Sequence, residues 1–128
     1  MKNYTTCIVI LFFGLFILIS SCRYDYYVEP VIEITDTVSF ANDILPIFNN
    51  SCSTSGCHNT GGIAPDLSPV SAYDNLFLYN LVDTASPEMS VLYIRMNSTS
   101  DPMPPAGKLQ PIEIATVLAW IEQGGNNN

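Results

Sequence analysis

The sequence predicts a mainly α protein, a small domain of about four short helices with long loops. Three observations carry this. Apolar residues recur at helical spacing in four separate stretches. Glycine, proline and asparagine gather between those stretches, where they interrupt regular structure. The length, 128 residues, leaves room for one domain at most.

Taken in order, residues 1–21 read as an export signal. Lys2 supplies a positive start, and Cys7 to Ile19 is a charge-free apolar run of thirteen residues. A membrane-spanning helix needs roughly 20 such residues, so this run has the length of a signal core. Ile19-Ser20-Ser21-Cys22 follows and resembles a bacterial lipobox: an aliphatic residue, small residues, then a cysteine. On that reading Cys22 is lipidated, becomes the mature N-terminus and holds the chain on a membrane. Two or three acyl chains anchor durably, where one is marginal. The alternative is an uncleaved signal anchor with Cys22 an ordinary thiol.

Residues 22–38 include "RYDYYVEPVIEITDTV", which has no helical period and is rich in Tyr, Val, Ile and Thr. They read as an extended tether, with a short strand expected at Val31 to Ile34. At about 3.3 Å per residue the tether reaches some 50 Å from a membrane.

The domain proper is expected over residues 39–125. Phe40, Ile44, Ile47 and Phe48 share one helical face, in a helix starting near Asn42 or Asp43 and running into Cys52. Pro46 is tolerable there only in a first turn. "NTGGIAPDLSPV" is a loop, and "SAYDNLF" a short helix with Ala72, Leu76 and Tyr73 inward. "SPEMSVLYIRMN" has Ser86 as cap, Pro87 at the first position and Glu88 in the first turn, with Met89, Leu92, Tyr93 and Met96 as its apolar stripe. "STSDPMPPAGKL" is a loop. The clearest helix is "QPIEIATVLAWIEQGG", with Pro111 near its start, Ile114, Val117, Leu118 and Ile121 inward, and Gly124-Gly125 as the stop. Residues 126–128 are expected to be a disordered tail. A domain this small buries little surface, which makes a staple or a large apolar prosthetic group physically attractive.

Once the signal is removed, Arg23, Arg95 and Lys108 face all twelve acidic residues, a balance near −9. That argues against nucleic acid as a partner, because no basic patch is available to meet phosphate. It permits docking with a basic protein partner.

"NNSCSTSGCHNT" holds Cys52, Cys57 and the chain's one histidine, His58. With Cys7 in the signal and Cys22 lipidated, Cys52 and Cys57 are the cysteines left to an exported, oxidised protein, where lone thiols are rare. The residues leave three uses open: a disulfide closing a four-residue loop, part of a metal site, or covalent haem attachment. A zinc site needs four ligands and three are in view. C-x-x-C-H is the signature of c-type haem attachment. Here the cysteines are two residues further apart than usual, with the Cys-His adjacency intact.

The wider order is "ANDILPIFNNSCSTSGCHNTGG", then "SPEMSVLYIRM", then "DPMPPAGKLQPIEIATVLAWIEQGG". It resembles the small class I cytochrome c domain of the planctomycete type, over roughly residues 39 to 125. The resemblance implies a cytochrome c-like fold around haem c and its iron. It implies Cys52 and Cys57 as the thioether-forming residues, His58 as the proximal axial ligand and Met103 as the distal one. Met/His ligation raises a haem's reduction potential, and flanking prolines leave the loop little entropy to lose. Met89 and Met96 are the rival sulfurs, read as core from their helical spacing. Trp120 is expected to pack against the first helix or the haem edge.

The resulting expectation is a membrane-anchored electron carrier of the cell envelope, periplasmic or surface-facing, working with redox partner proteins. It would not be an enzyme, since both axial positions are filled, and no acid-base pair involves Asp66 or Asp74. Two readings compete with it. One is an open-site haem protein binding peroxide or a small gas. The other is a disulfide-stapled exported binding lipoprotein without haem.

Overall fold

Ser39 opens the first helix. Its hydroxyl accepts the Asn42 N–H at 3.2 Å, and its own N–H donates to the Asp43 carboxylate at 2.7 Å. That reciprocal cap satisfies two helix-start amides at once. Asp43 therefore answers a cap four residues earlier, and neither it nor Asn42 starts the helix. The structure is a computed structural model and describes Tyr4 and Ile32–Asn128. Apart from Tyr4, the expected export signal, Cys22 and the expected tether as far as Val31 lie outside the described residues.

The first helix begins as a wide π turn, Phe40–Ile44, and continues as α1, Leu45–Ser51. Pro46 sits just past the wide turn. In an ordinary α turn its ring crowds the carbonyl four residues back and offers it no N–H; a wider turn relieves that conflict. Three more helices follow: α2, Ala72–Leu78; α3, Val91–Asn97; and α4, Pro111–Glu122. The described residues are mainly helical and contain no strand.

The stretch expected to form one helix from Ser86 to Asn97 is broken. Pro87–Met89 makes a single 3₁₀ turn, and α3 starts only at Val91. The break lies at Ser90, which is buried. Its hydroxyl accepts the Asp83 N–H at 2.9 Å and donates to the Asp83 carbonyl at 3.3 Å. That tie to a distant segment accompanies an extended Ser90 backbone, with ψ 128°. Ser86 does not cap; its N–H donates instead to the Asp83 carboxylate. Met89 consequently turns outward, 68% exposed, while Leu92 and Met96 are buried.

α4 begins with Gln110 and Glu113 in a capping box and Pro111 at its first turn. It ends with the Gly125 N–H on the Trp120 carbonyl and the Gly124 N–H on the Ile121 carbonyl. Gly124, at φ +102°, supplies the reversal that such an ending needs. Ile114, Val117, Trp120 and Ile121 are buried, and Leu118 is only half-buried.

Aromatic residues of α1, α2 and α4 meet around Phe40. Its ring centroid lies 5.2 Å from Tyr73, 5.2 Å from Trp120 and 6.3 Å from Phe48. Such aromatic pairs add about 0.5–1.5 kcal/mol each beyond the area they bury. Ile44, Ile47, Leu76, Met96 and Val117 complete the core.

Both flanks of the domain are tied to it. No strand forms over residues 32–34. Instead the Gln123 side chain takes the Val38 N–H and donates to the Asp36 carbonyl, the groups a neighbouring strand would engage. In the stretch 126–128, expected to be disordered, Asn126 and Asn128 are hydrogen-bonded. The Asn126 carbonyl accepts the Trp120 indole N–H, and Asn128 accepts the N–H groups of Phe40 and Ala41 at the first helix start. Those amides have no partner inside their own helix. Among the described residues no helix is long and apolar enough to cross a membrane.

Candidate functional site

α1 delivers the chain to Cys52, whose N–H still bonds the Phe48 carbonyl. The stretched inter-cysteine segment then folds into a closed loop. The Cys57 N–H donates to the Thr54 carbonyl at 2.9 Å, and the His58 N–H returns to the Cys52 carbonyl at 3.1 Å. Gly56, at φ +80°, makes the turn between them. The two additional residues are thus taken up inside a turn. Cys52 is buried, Cys57 is half-buried, and the two thiols are not joined.

A second tight loop follows. The Ile63 N–H donates to the Cys57 carbonyl at 2.7 Å. Only glycine fits at position 62, where a Cβ would stand 2.2 Å from that same carbonyl oxygen. The loop carries two carbonyls to the His58 ring: Nδ1 lies 3.1 Å from the Ile63 oxygen and 3.1 Å from the Pro65 oxygen. Carbonyls only accept, so Nδ1 carries the proton. In the neutral ring Nε2 then keeps the lone pair with which a histidine ligates a metal.

Cys52, His58 and Met103 line one cleft of about 290 Å³. Its walls are mostly apolar, with Leu67, Leu81, Val91 and Leu92 among them. The loop expected from residues 98 to 109 brings Met103 there, with the Met103 N–H on the Arg95 carbonyl at 2.9 Å. Met96 lines the same cleft from α3, so a second thioether is present. Met89 does not line it. Trp120 stacks on Phe40 rather than facing the cleft.

Burial pushes the Cys52 thiol up to about 11, with smaller contributions from Glu113 and from Cys57. Cys52 is therefore a neutral thiol at ordinary pH and a poor nucleophile. Among the described residues, no three His, Cys, Asp or Glu side chains converge to hold a metal ion by themselves.

Sequence reasoning missed Arg95, the one cation lining this cleft among the described residues. Its signal was its position, six residues before Asp101, with which it forms an ion pair. It also missed the Ile63 and Pro65 carbonyls, which no side-chain identity announces.

No family model matches the chain, and no match was found among the curated proteins or the solved structures.

Proposed function

We propose that this chain is a c-type cytochrome that carries electrons and is held on a membrane of the cell envelope by a lipid on Cys22. The observation that supports it most is the convergence of Cys52 and His58 from one loop, and of Met103 from a distant one, on one largely apolar cleft. The residues there fit haem c. Cys52, on the cleft wall, and Cys57, which follows in the same loop but does not line the cleft, would hold it through thioethers. His58, with its Nδ1 proton held by the Ile63 and Pro65 carbonyls, and Met103, with its neutral, soft sulfur, would be the residues that hold the iron. The group supplies one-electron redox chemistry when bound.

The chain's own part is to bind, orient and shield. The Ile63 and Pro65 carbonyls hold the imidazole plane. The apolar walls keep water from the cleft and with it set the potential. With His58 and Met103 both holding the iron, the chain would exchange electrons with redox partner proteins and would not act as an enzyme. Its acidic balance favours basic partners and disfavours nucleic acid.

The test is expression of residues 22–128 behind an exported leader, with cytochrome c maturation machinery, read by denatured intact mass and visible spectrum. The expected result is a mass increased by one haem and a low-spin spectrum. A haem-loaded but high-spin protein would favour an open distal site. A colourless protein two hydrogens lighter than the reduced chain would mean a Cys52–Cys57 disulfide, and the haem reading would be wrong, provided a control cytochrome matured in the same cells.

A further inference from the structure

We propose that Arg95 is a positioning residue for Met103, latching the Met103 loop over the cleft through both its backbone and its side chain. The inference rests on the haem reading above. Arg95 lies on α3, and its carbonyl accepts the Met103 N–H at 2.9 Å. Its guanidinium is bonded to the Asp101 carboxylate. The Asp101 N–H in turn donates to the Ser98 hydroxyl at 3.0 Å. One residue therefore grips the loop at two points, Asp101 and Met103.

The loop between those points is stiff. Pro102 and Pro104 flank Met103. Each fixes its own φ and restricts the residue before it, and those residues are Asp101 and Met103. A loop of this kind swings about its anchors more readily than it bends. Arg95 supplies both anchors, so its side chain helps set how often the Met103 sulfur leaves the cleft.

The ion pair is substantially exposed, 40% for Arg95 and 66% for Asp101. Exposed pairs are weak and screened by salt. The expected effect is therefore modest and salt-dependent, about fivefold in loop opening at low ionic strength.

The test uses the haem-loaded chain with imidazole as a competing ligand. Its apparent affinity rises with the fraction of molecules in which the distal position is open. Loss of the far-red absorption band of methionine-ligated ferric haem is followed in the wild type, Arg95→Lys, Arg95→Gln, Asp101→Asn and the Gln/Asn double variant. Circular dichroism checks that each is folded. Both single neutralisations should tighten imidazole about fivefold at low salt. The double variant should do no more than either single one, because the same contact is lost. Arg95→Lys should keep most of the wild-type behaviour, and high salt should abolish the differences. An Asp101→Asn protein indistinguishable from wild type would overturn the latch, as would single effects that multiply in the double variant. Asp101 is exposed, so its variant keeps the test decisive if Arg95→Gln does not fold. A haem-loaded wild type without the band, binding imidazole as Met103→Ala does, would show that Met103 is not a ligand; the haem assignment of the distal side would fail first, and the latch with it.

Discussion

The His58 N–H donates to the Cys52 carbonyl at 3.1 Å, so the first cysteine and the histidine are tied directly across the stretched loop. The loop's length is absorbed locally, and the geometry that matters depends on two glycines. At Gly62 an added Cβ would collide with the Cys57 carbonyl, whereas at Gly56 it meets open space but a left-handed backbone. Gly62→Ala should therefore be the worse substitution, costing about 2–4 kcal/mol by forcing the backbone apart. Gly56→Ala should cost about 1–2 kcal/mol. Urea unfolding of the two variants gives the order. Equal losses would mean that the close approach at Gly62 relaxes freely.

The two cleft thioethers should separate by function. Met103→Ala is expected to leave the protein folded and haem-loaded but high-spin. Met96→Ala is expected to stay low-spin and lose about 2–5 kcal/mol, because a buried side chain is truncated. Visible spectra and denaturant melts of both variants decide between them. A low-spin Met103→Ala beside a high-spin Met96→Ala would exchange the two roles.

Cys52 and Cys57 should react unequally in the reduced, haem-free chain. Cys52 is buried and its thiol is pushed up to about 11, while Cys57 is half-buried. Iodoacetamide at mild alkaline pH should modify Cys57 first, by tenfold or more on the order-of-magnitude scale of thiolate control. Peptide mapping at short times reads the ratio.

The same shift has a pH consequence. The folded-state value of Cys52 lies above its ordinary 9.0, so the folded chain holds this proton more tightly than the unfolded one. Its contribution is fully present below pH 9.0 and is lost as pH rises toward about 11. The reduced chain should weaken by up to roughly 2–3 kcal/mol across that window. A Cys52→Ser variant should show a smaller decline, and an identical decline would place the cause elsewhere.

Asn128 should behave as a remote cap of the first helix. Its side-chain oxygen accepts the Phe40 N–H at 2.9 Å. Asn128→Ala is expected to cost about 1 kcal/mol. Thermal melts beside Asn127→Ala, for which no side-chain bond is seen among the described residues, would separate the specific contact from the segment.

The helices were legible because their signals are local. α4 announces itself through Pro111, the spacing of Ile114, Val117 and Ile121, and Gly124 at its end. α2 is placed by Ala72 and Leu76 alone. The break before α3 was not legible, because Ser90 is held by main-chain groups of Asp83, whose N–H and carbonyl are common to every residue but proline. The hold on Asn126–Asn128 was hidden for a similar reason. Three asparagines look like a frayed end until the free amides of Phe40 and Ala41 come within reach.

The candidate site divides the same way. Residue type and spacing already supply the available chemistries: two thiols, one imidazole beside the second of them, and a thioether between prolines. That information needs no fold. Folding is what brings Cys52, His58 and Met103 to one cleft, adds Met96 to it, and sets Arg95 to grip the loop bearing Met103. It also decided which imidazole nitrogen is free, because the Ile63 and Pro65 carbonyls occupy the other. Those are relations between backbone groups and distant segments, and they come into being only when the chain closes around its core.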